Sequence, residues 1–428
     1  MDSCVFGVRL EDKNEWERRV PFSPEAVAEL QRQGIDVLVQ SSPNRVFPDE
    51  AYRTIGAEVV PSLEGAQVIF AVKEIPVHLI QPEKTYVFFS HTIKGQAYNM
   101  PLLQRILDER ATLIDYERVM DDQGRRLVFF GVHAGYAGMI DSLHLLGQRR
   151  LAQRGHSMFA PLEPAWRYDS LNSAKEAVAA VGHRIIEEGL QDPVLFGFAG
   201  YGNVSRGAQE ILDCLPVVTL SVDQVASMAQ TKGPHHAVYK VVFQEQDLVE
   251  PLEGAFELST YYQHPERFRG VFHRYLPHLN VLMNCIYWTK AYPRLVTRKT
   301  LRDQHATTRL EIIGDISIDI EGAIEVSIKS THSDHPCYVY QPMSDDFVEG
   351  IIGEGPTILA VDNLPCELPR ESSEHFSQAL LPLVTPLKHT QWAVPFDQLD
   401  LPAPLKRATI AHRGSLTPDY AYLRDFLK

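Results

Sequence analysis

The stretch VLFGFAGYGNVSRGAQEIL, from Val194 to Leu212, joins an apolar run to a turn through Gly200 and Gly202, after which Ala208, Ile211 and Leu212 continue at helical spacing. Strand, glycine turn and helix in that order are the signature of a dinucleotide site. Gly200 can take the tight turn and Gly202 lets backbone approach a pyrophosphate, while Asn203, Val204 and Ser205 open a helix whose N–H groups face the phosphates. Ser205 stands where the pattern has a third small residue, and its hydroxyl still fits against a strand. An ordinary strand-to-helix turn is the competing reading of the same residues. Upstream, Gly131, Gly135 and Gly138 in FFGVHAGYAGM permit close approach of a cofactor or, equally, close packing of helices.

At 428 residues, 44% hydrophobic and 22% charged, the chain is long enough for two or three domains. A net charge of -14 argues against nucleic acid or an anionic membrane as partner, because both require a basic face. Five cysteines without metal-ligand spacing fit a reducing compartment, with the cytoplasm as default. No leader-like or membrane-spanning apolar run is evident. His235-His236 and the pair His332 and His335 lack an acid or cysteine set to complete a metal site, so they read as surface or turn histidines. No metal is expected.

Residues 1–133 alternate short apolar strands with helical patterns, the rhythm of a parallel α/β sheet. Strands are predicted at Val5–Val8, Val37–Gln40, Val68–Val72, Tyr86–Phe89 and Thr112–Asp115, with a helix starting at Ser23-Pro24-Glu25 and another over Met100–Asp108. Helices over 134–154 and 170–190 lead into a second α/β unit with later strands at Val217–Leu220, Ala237–Phe243 and Leu310–Ile313. The predicted fold class is therefore α/β: two Rossmann-like domains with parallel sheets separated by an active-site cleft. Residues 1–133 would form the substrate and catalytic domain and 134–360 the dinucleotide-binding domain. Residues 361–428, with a helix near Glu371–Leu381, would be a segment packing back on the first. The run FHRYLPHLNVLMNCIYW (272–288) reads as core rather than as an oligomer face.

Three predicted strands of the first domain end on ionisable groups: Lys73-Glu74, Ser90-His91 and Glu117. Carboxyl ends of parallel strands share one edge, where open α/β sheets place their ligand crevice. Histidine titrates near neutrality and a partly buried lysine has its pKa lowered, so the set suits proton transfer around a carbonyl or imine, with Glu74 and Glu117 tuning it. Solvated loops also carry charge, which is the plainer reading of each residue alone. Arg18, Arg19, Lys94, Arg125 and Arg126 cluster in the same segments and would receive a substrate with several carboxyl groups. A solvated hairpin at Asp121-Asp122-Gln123-Gly124 would equally account for the last two.

Taken together, RLEDKNEWERRVPFSP (9–24), VKEIP (72–76), FFSHTIKGQ (88–96), IDYERV followed by DDQGRR (114–126), FGVHAGYAGMID (130–141), GYGNVSRGAQ (200–209), CIYWTKAYPRLVTR (285–298), GDISIDIEGAIE (314–325) and VDNLPCELPRE (361–371) resemble the lysine-ketoglutarate reductase type of saccharopine dehydrogenase. That group is related to alanine dehydrogenase and the transhydrogenase N-terminal fold. The resemblance spans nearly the whole chain and implies the reductase half of a protein that animals and plants fuse to a second dehydrogenase. It implies Lys73 and His91 as the acid–base pair, Glu74 and Glu117 as their tuners, Arg19, Lys94 and Arg126 near substrate carboxylates, and Asp362 beside the nicotinamide. The implied reaction is NADPH-dependent condensation of L-lysine with 2-oxoglutarate to give saccharopine. Another opine-type or amino-acid dehydrogenase, or a non-catalytic NADP-binding regulatory module, are the alternatives. An NAD site usually has Asp or Glu about 20 residues past the glycine turn. Here Ser221 occupies that region with Arg206 nearby, an arrangement that favours NADP, NAD being the other possibility.

Overall fold

The structure, a computed structural model, describes residues 4–427. The chain divides into two compact units, one formed by Met1–Phe130 with Pro369–Lys428 and the other by Gly131–Leu368. In the first unit β1 (Phe6–Val8), β2 (Val37–Gln40), β3 (Glu58–Val60), β4 (Val68–Phe70), β5 (Thr85–Phe88) and β6 (Thr112–Asp115) run parallel. Helix α1 (Pro24–Arg32) starts as its sequence dictates: Ser23 accepts from the Ala26 N–H, Pro24 sits in the first turn and Glu25 faces the positive helix end. Helix α2 (Asp49–Thr54) precedes β3, and α3 (Met100–Asp108) joins β5 to β6. Neither α2 nor β3 is legible as a periodic apolar segment, because β3 is a half-exposed edge strand.

The second unit opens with α4 (Gly131–Arg154), three residues before the expected start, because Gly131, Val132 and His133 already belong to the helix. Helix α5 (Leu171–Glu188) is capped by Ser170 and Ser173. Strand β7 (Leu195–Ala199) then turns into α6 (Asn203–Leu212). Helices α4 and α6 cross at glycines: a Cβ on Gly135 would lie 2.0 Å from the Val204 carbonyl oxygen, and one on Gly207 would lie 2.2 Å from that of Val132. Of the two readings open for the FFGVHAGYAGM glycines, the contact at Gly135 is helix packing.

The later strands of this sheet are β8 (Val217–Thr219), β9 (Val238–Phe243), β10 (Val281–Asn284), β11 (Ile312–Asp315), β12 (Cys337–Gln341), β13 (Asp346–Glu349) and β14 (Thr357–Leu359). Their order across the sheet is β13-β12-β14-β11-β10-β7-β9-β8. From β11 to β8 all neighbours are parallel. In the run 272–288, Phe272, Leu276, Leu279 and Val281 to Met283 are buried, whereas Tyr287 is 84% exposed.

The chain then returns to the first unit. Helix α7 (Pro369–Val384) contributes Phe376 and Leu380 to the core built on Phe6, Phe22 and Phe70. Strand β15 (Thr409–His412) pairs antiparallel with β6, and β16 (Ser415–Leu416) closes the edge, giving the order β16-β15-β6-β5-β4-β1-β2-β3. Pairing with β6 ties residues 369–428 to the first unit. The chain crosses over at Leu368 and Pro369, eight residues past the expected 360/361 boundary, because the Leu364–Glu367 turn stays packed with α4.

Candidate active site

In the first unit the chain builds β2 and β3 on one side of β1 and β4 to β6 on the other, so the sheet changes direction between β1 and β4. Ligand crevices of open α/β sheets lie at the carboxyl ends of strands at such a point. Lys73 and Glu74 follow β4 there, His91 follows β5 and Glu117 follows β6. Glu11, just past β1, accepts hydrogen bonds from the backbone N–H groups of Val72 at 2.6 Å and Lys73 at 3.0 Å. The lysine's main chain is thereby held by a carboxylate from the neighbouring strand. Burial and the charge of Glu17 push the Glu11 carboxyl up to about 7, against those two bonds.

Burial lowers the pKa of Lys73, helped by the Arg19 and Lys13 charges and opposed by Glu17 and Glu74. Its Nζ donates to no protein group among the described residues, and it stays partly exposed. Glu74 Oε1 lies 2.6 Å from His91 Nδ1, and Lys13 Nζ lies 3.1 Å from Oε2. Burial opposes ionisation of Glu74, but the hydrogen bond and charge of His91, with Lys13, hold its carboxyl down at about 2. A carboxylate on Nδ1 fixes the ring orientation and leaves Nε2 for a reactant.

His91 has φ of +50°, a left-handed conformation that is uncommon outside glycine and is maintained only by its surroundings. Three contacts hold it. Asn99 Nδ2 donates to its carbonyl at 3.2 Å, Phe89 stacks at 6.4 Å between ring centroids, and Ser90 before it is tied to Asp115 through both N–H and hydroxyl. Asp115, at the end of β6, is fully buried; burial pushes it up to about 6 even though Ser90 and the Glu117 N–H donate to it. Glu11 and Asp115 are the residues sequence reasoning missed here. Each lies inside a quoted motif but works through backbone bonds that no periodicity displays.

The basic residues divide. Arg19 is 1% exposed, with its guanidinium on Glu17 at 2.8 and 2.6 Å and 4.2 Å above the Phe130 ring. That fork is buried and paired within the fold. Arg126 bonds Glu117 at 2.8 Å but remains about half exposed, and Arg125 is occupied by Asp121 in the turn of residues 121–124. Lys94 is exposed and its ammonium makes no hydrogen bond or ion pair among the described residues.

The second unit carries the other part of the predicted set. Gly200 has φ of +93° and its N–H donates to the Phe243 carbonyl at 3.1 Å. Gly202 is the N-cap of α6, has no side chain to satisfy the first-turn N–H groups of Asn203, Val204 and Ser205, and faces open space. Ser205 is buried and accepts from Gln209 at 3.0 Å, filling the third small position. A pyrophosphate fits this cradle. Asp362 is exposed just past β14, and buried Asp315 at the end of β11 accepts from Asn284 at 2.8 Å.

Ser221, the candidate for reading the ribose, does not lie on the strand beside β7. It follows β8, which is the outermost strand, and its N–H is capped by Gln224 at 3.0 Å. The strand beside β7 is β9. Arg206 is exposed on α6 and donates to Asn203 at 2.7 Å. His235 and His236 bond Tyr239 and the Ile186 carbonyl, and no group of three or more metal-ligating side chains exists among the described residues. No helix among them is long and apolar enough to cross a membrane.

The N-terminal domain model of alanine dehydrogenase/PNT matches residues 7–137 and the C-terminal domain model matches 226–419. Alpha-aminoadipic semialdehyde synthase of Arabidopsis thaliana is 39% identical across 98% of this chain, and the mitochondrial protein of that name from Bos taurus is 34% identical across 98%. The chain spans 41% and 48% of those two proteins, less than half of each. A saccharopine dehydrogenase (NAD(+), L-lysine-forming) of Neurospora crassa is 27% identical over 91% of this chain and 93% of its own. Among solved structures, an L-alanine dehydrogenase superposes with a TM-score of 0.63 at 16% identity, covering 99% of this chain and all of its own, which shows the shared fold. With both domain models matched in order along a chain of this architecture, the protein belongs to the alanine dehydrogenase/PNT family.

Proposed function

We propose that the chain is an NAD(P)-dependent oxidoreductase acting on CH–NH bonds, and that it condenses L-lysine with 2-oxoglutarate reductively to saccharopine. The observation that carries the reading is the Lys73, Glu74 and His91 set at the direction change of the first sheet, with His91 Nδ1 held by Glu74 at 2.6 Å. The names of the relatives support the substrate class. Five cysteines joined by no disulfide support a reducing compartment such as the cytoplasm.

The amine nitrogen of lysine attacks C2 of the keto acid, and the resulting carbinolamine loses water to an imine. Lys73, with its depressed pKa, takes the proton released by the attacking ammonium. His91, oriented by Glu74, delivers a proton to the departing hydroxyl, so nitrogen gains a second bond to C2 as water leaves. A reduced nicotinamide, when bound, would supply the hydride that C2 accepts, with the electron pair of the C=N bond passing to nitrogen. Lys94 and Arg126, both exposed, receive the substrate carboxylates in this reading. Gly200, Gly202 and the first turn of α6 hold the dinucleotide.

The test is oxidation of NADH and NADPH in the presence of 2-oxoglutarate and a panel of amines that includes L-lysine. Lysine-dependent turnover yielding saccharopine is expected, and absence of turnover with every amine overturns the reading. In the same assay Lys73→Met and His91→Gln each lower kcat by at least about 100-fold, the contribution of a positioned acid or base. Rates within about threefold of the parent would remove these residues from the chemistry.

A further inference from the structure

The topology of the second sheet reassigns the residue that reads the adenosine ribose. In a dinucleotide fold the acid that binds the ribose hydroxyls stands at the carboxyl end of the strand beside the glycine-turn strand. Counting about 20 residues from the glycines leads to Ser221, but β8 lies at the sheet edge with β9 between it and β7. Strand β9 pairs with β7 in parallel register, Phe243 opposite Ala199. The residues that follow, Gln244 and Glu245, therefore run alongside Gly200 and Tyr201.

Glu245 is placed for contact with a ligand. It lines a cavity of about 370 Å³ together with Gly200, Gly202, Phe243, Ile286 and Trp288. That volume lies in the range of small-molecule sites, and the wall is largely apolar and aromatic, as a purine requires. Among the described residues no Lys, Arg or His lines it, and Glu245 is the charged side chain in its wall. Tyr262 donates its hydroxyl to Glu245 at 2.5 Å, and Tyr201 donates at 3.3 and 3.2 Å to the two oxygens. The carboxylate is thus held at the mouth of the glycine turn by two donors on the protein side.

We propose that Glu245 binds the 2′- and 3′-hydroxyls of the adenosine ribose and makes this chain selective for NAD(H) over NADP(H). An ionised carboxylate has several acceptor positions and no donor, so it suits two vicinal hydroxyls. The 2′-phosphate of NADP carries a charge between about −1.5 and −2 at neutral pH and would meet that carboxylate with no cation in the cavity wall to offset it. Arg206 lies on α6 with its guanidinium on Asn203 and is absent from the cavity wall. This inference rests on the dinucleotide part of the reading above and on none of its amine chemistry.

The test is direct binding to the full chain without amine or keto acid, by calorimetry with NADH, NADPH, 5′-AMP and 2′,5′-ADP. NADH is expected to bind at least about tenfold more tightly than NADPH, and 5′-AMP more tightly than 2′,5′-ADP, from like-charge repulsion at the 2′ position. Glu245→Gln, or Glu245→Ser if the first fails to fold, should narrow the NADH to NADPH ratio to about threefold or less as the repulsion is removed. Ser221→Ala should leave the parent ratio in place. Equal or tighter NADPH binding by the parent, an unchanged ratio in the Glu245 variants, or a ratio that moves with Ser221 instead would each overturn the proposal. Loss of saccharopine formation with the binding ratio intact would sink the reaction and leave the selectivity standing.

Discussion

His91 and Lys73 are held differently, and the difference decides how each can be disturbed. The histidine occupies a left-handed conformation that its neighbours impose, whereas the lysine owes its place to two backbone N–H groups donating to Glu11. Glu11→Ala leaves both donors buried without an acceptor, and an unmet buried donor costs on the order of 1–3 kcal/mol. The variant should therefore lose at least about 2 kcal/mol in urea denaturation and show kcat reduced by about tenfold with a smaller change in KM, since the lysine is displaced rather than removed. Stability within about 0.5 kcal/mol of the parent, the range of an ordinary surface substitution, would show that Glu11 does not pin the strand end. Lys73, Glu74, His91 and Glu117 were legible because each follows an apolar run that reads as a strand. Glu11, Asp115 and Glu245 were not, since what matters in them is a bond to backbone or a place beside a strand distant in sequence.

At the scale of elements, the clearest case of illegibility is the order of β8 and β9. Both were predicted within a residue or two, because each is a short apolar run, yet periodicity says nothing about which one pairs with β7. That pairing decides whether Ser221 or Glu245 stands beside the glycine turn. The crossing of α4 and α6 was half legible: the glycines were visible, but their partner helix was not. It also positions the site, since α6 begins at the pyrophosphate cradle and its first turn lies against Gly135. Gly135→Ala sets a methyl 2.0 Å from the Val204 carbonyl oxygen and 2.7 Å from the Ala208 nitrogen, contacts that backbone cannot yield without moving the helix. A loss of about 1–3 kcal/mol is expected, with dinucleotide affinity weakened for NADH and NADPH alike. Thermal denaturation and the binding titration check it together. Weakened affinity at unchanged stability would place a ligand rather than a helix against Gly135.

For the whole molecule, the buried carboxyl groups set how stability depends on pH. Among them, burial raises Glu11 from 4.5 to about 7 and Asp115 and Asp315 from 3.8 to about 6, and these three take up protons on folding, as do Asp141 and Glu367, which burial also raises. Where the folded chain binds more protons than the unfolded one, stability falls as pH rises. The contribution of these three is complete below their unfolded values and is lost as pH climbs through about 6 and 7. Glu74 acts in the opposite sense, since its folded value of about 2 lies below the ordinary 4.5, so its contribution is complete above 4.5 and is lost as pH falls toward 2. Stability should therefore be greatest near pH 4, decline as pH climbs from about 4 to 7 and level off once Glu11 has ionised, and decline again as pH falls toward 2. Urea denaturation at intervals from pH 3 to 8 measures the curve. Asp115→Asn removes one of these protons and should reduce the slope between about pH 4 and 6 by up to about 1.4 kcal/mol per pH unit. The slope is the readout, because the amide also alters the bond to Ser90 and shifts stability at every pH. Stability that rises steadily from pH 5 to 7.5, or an Asp115→Asn slope equal to the parent's, would mean that these carboxyl groups enter the fold ionised.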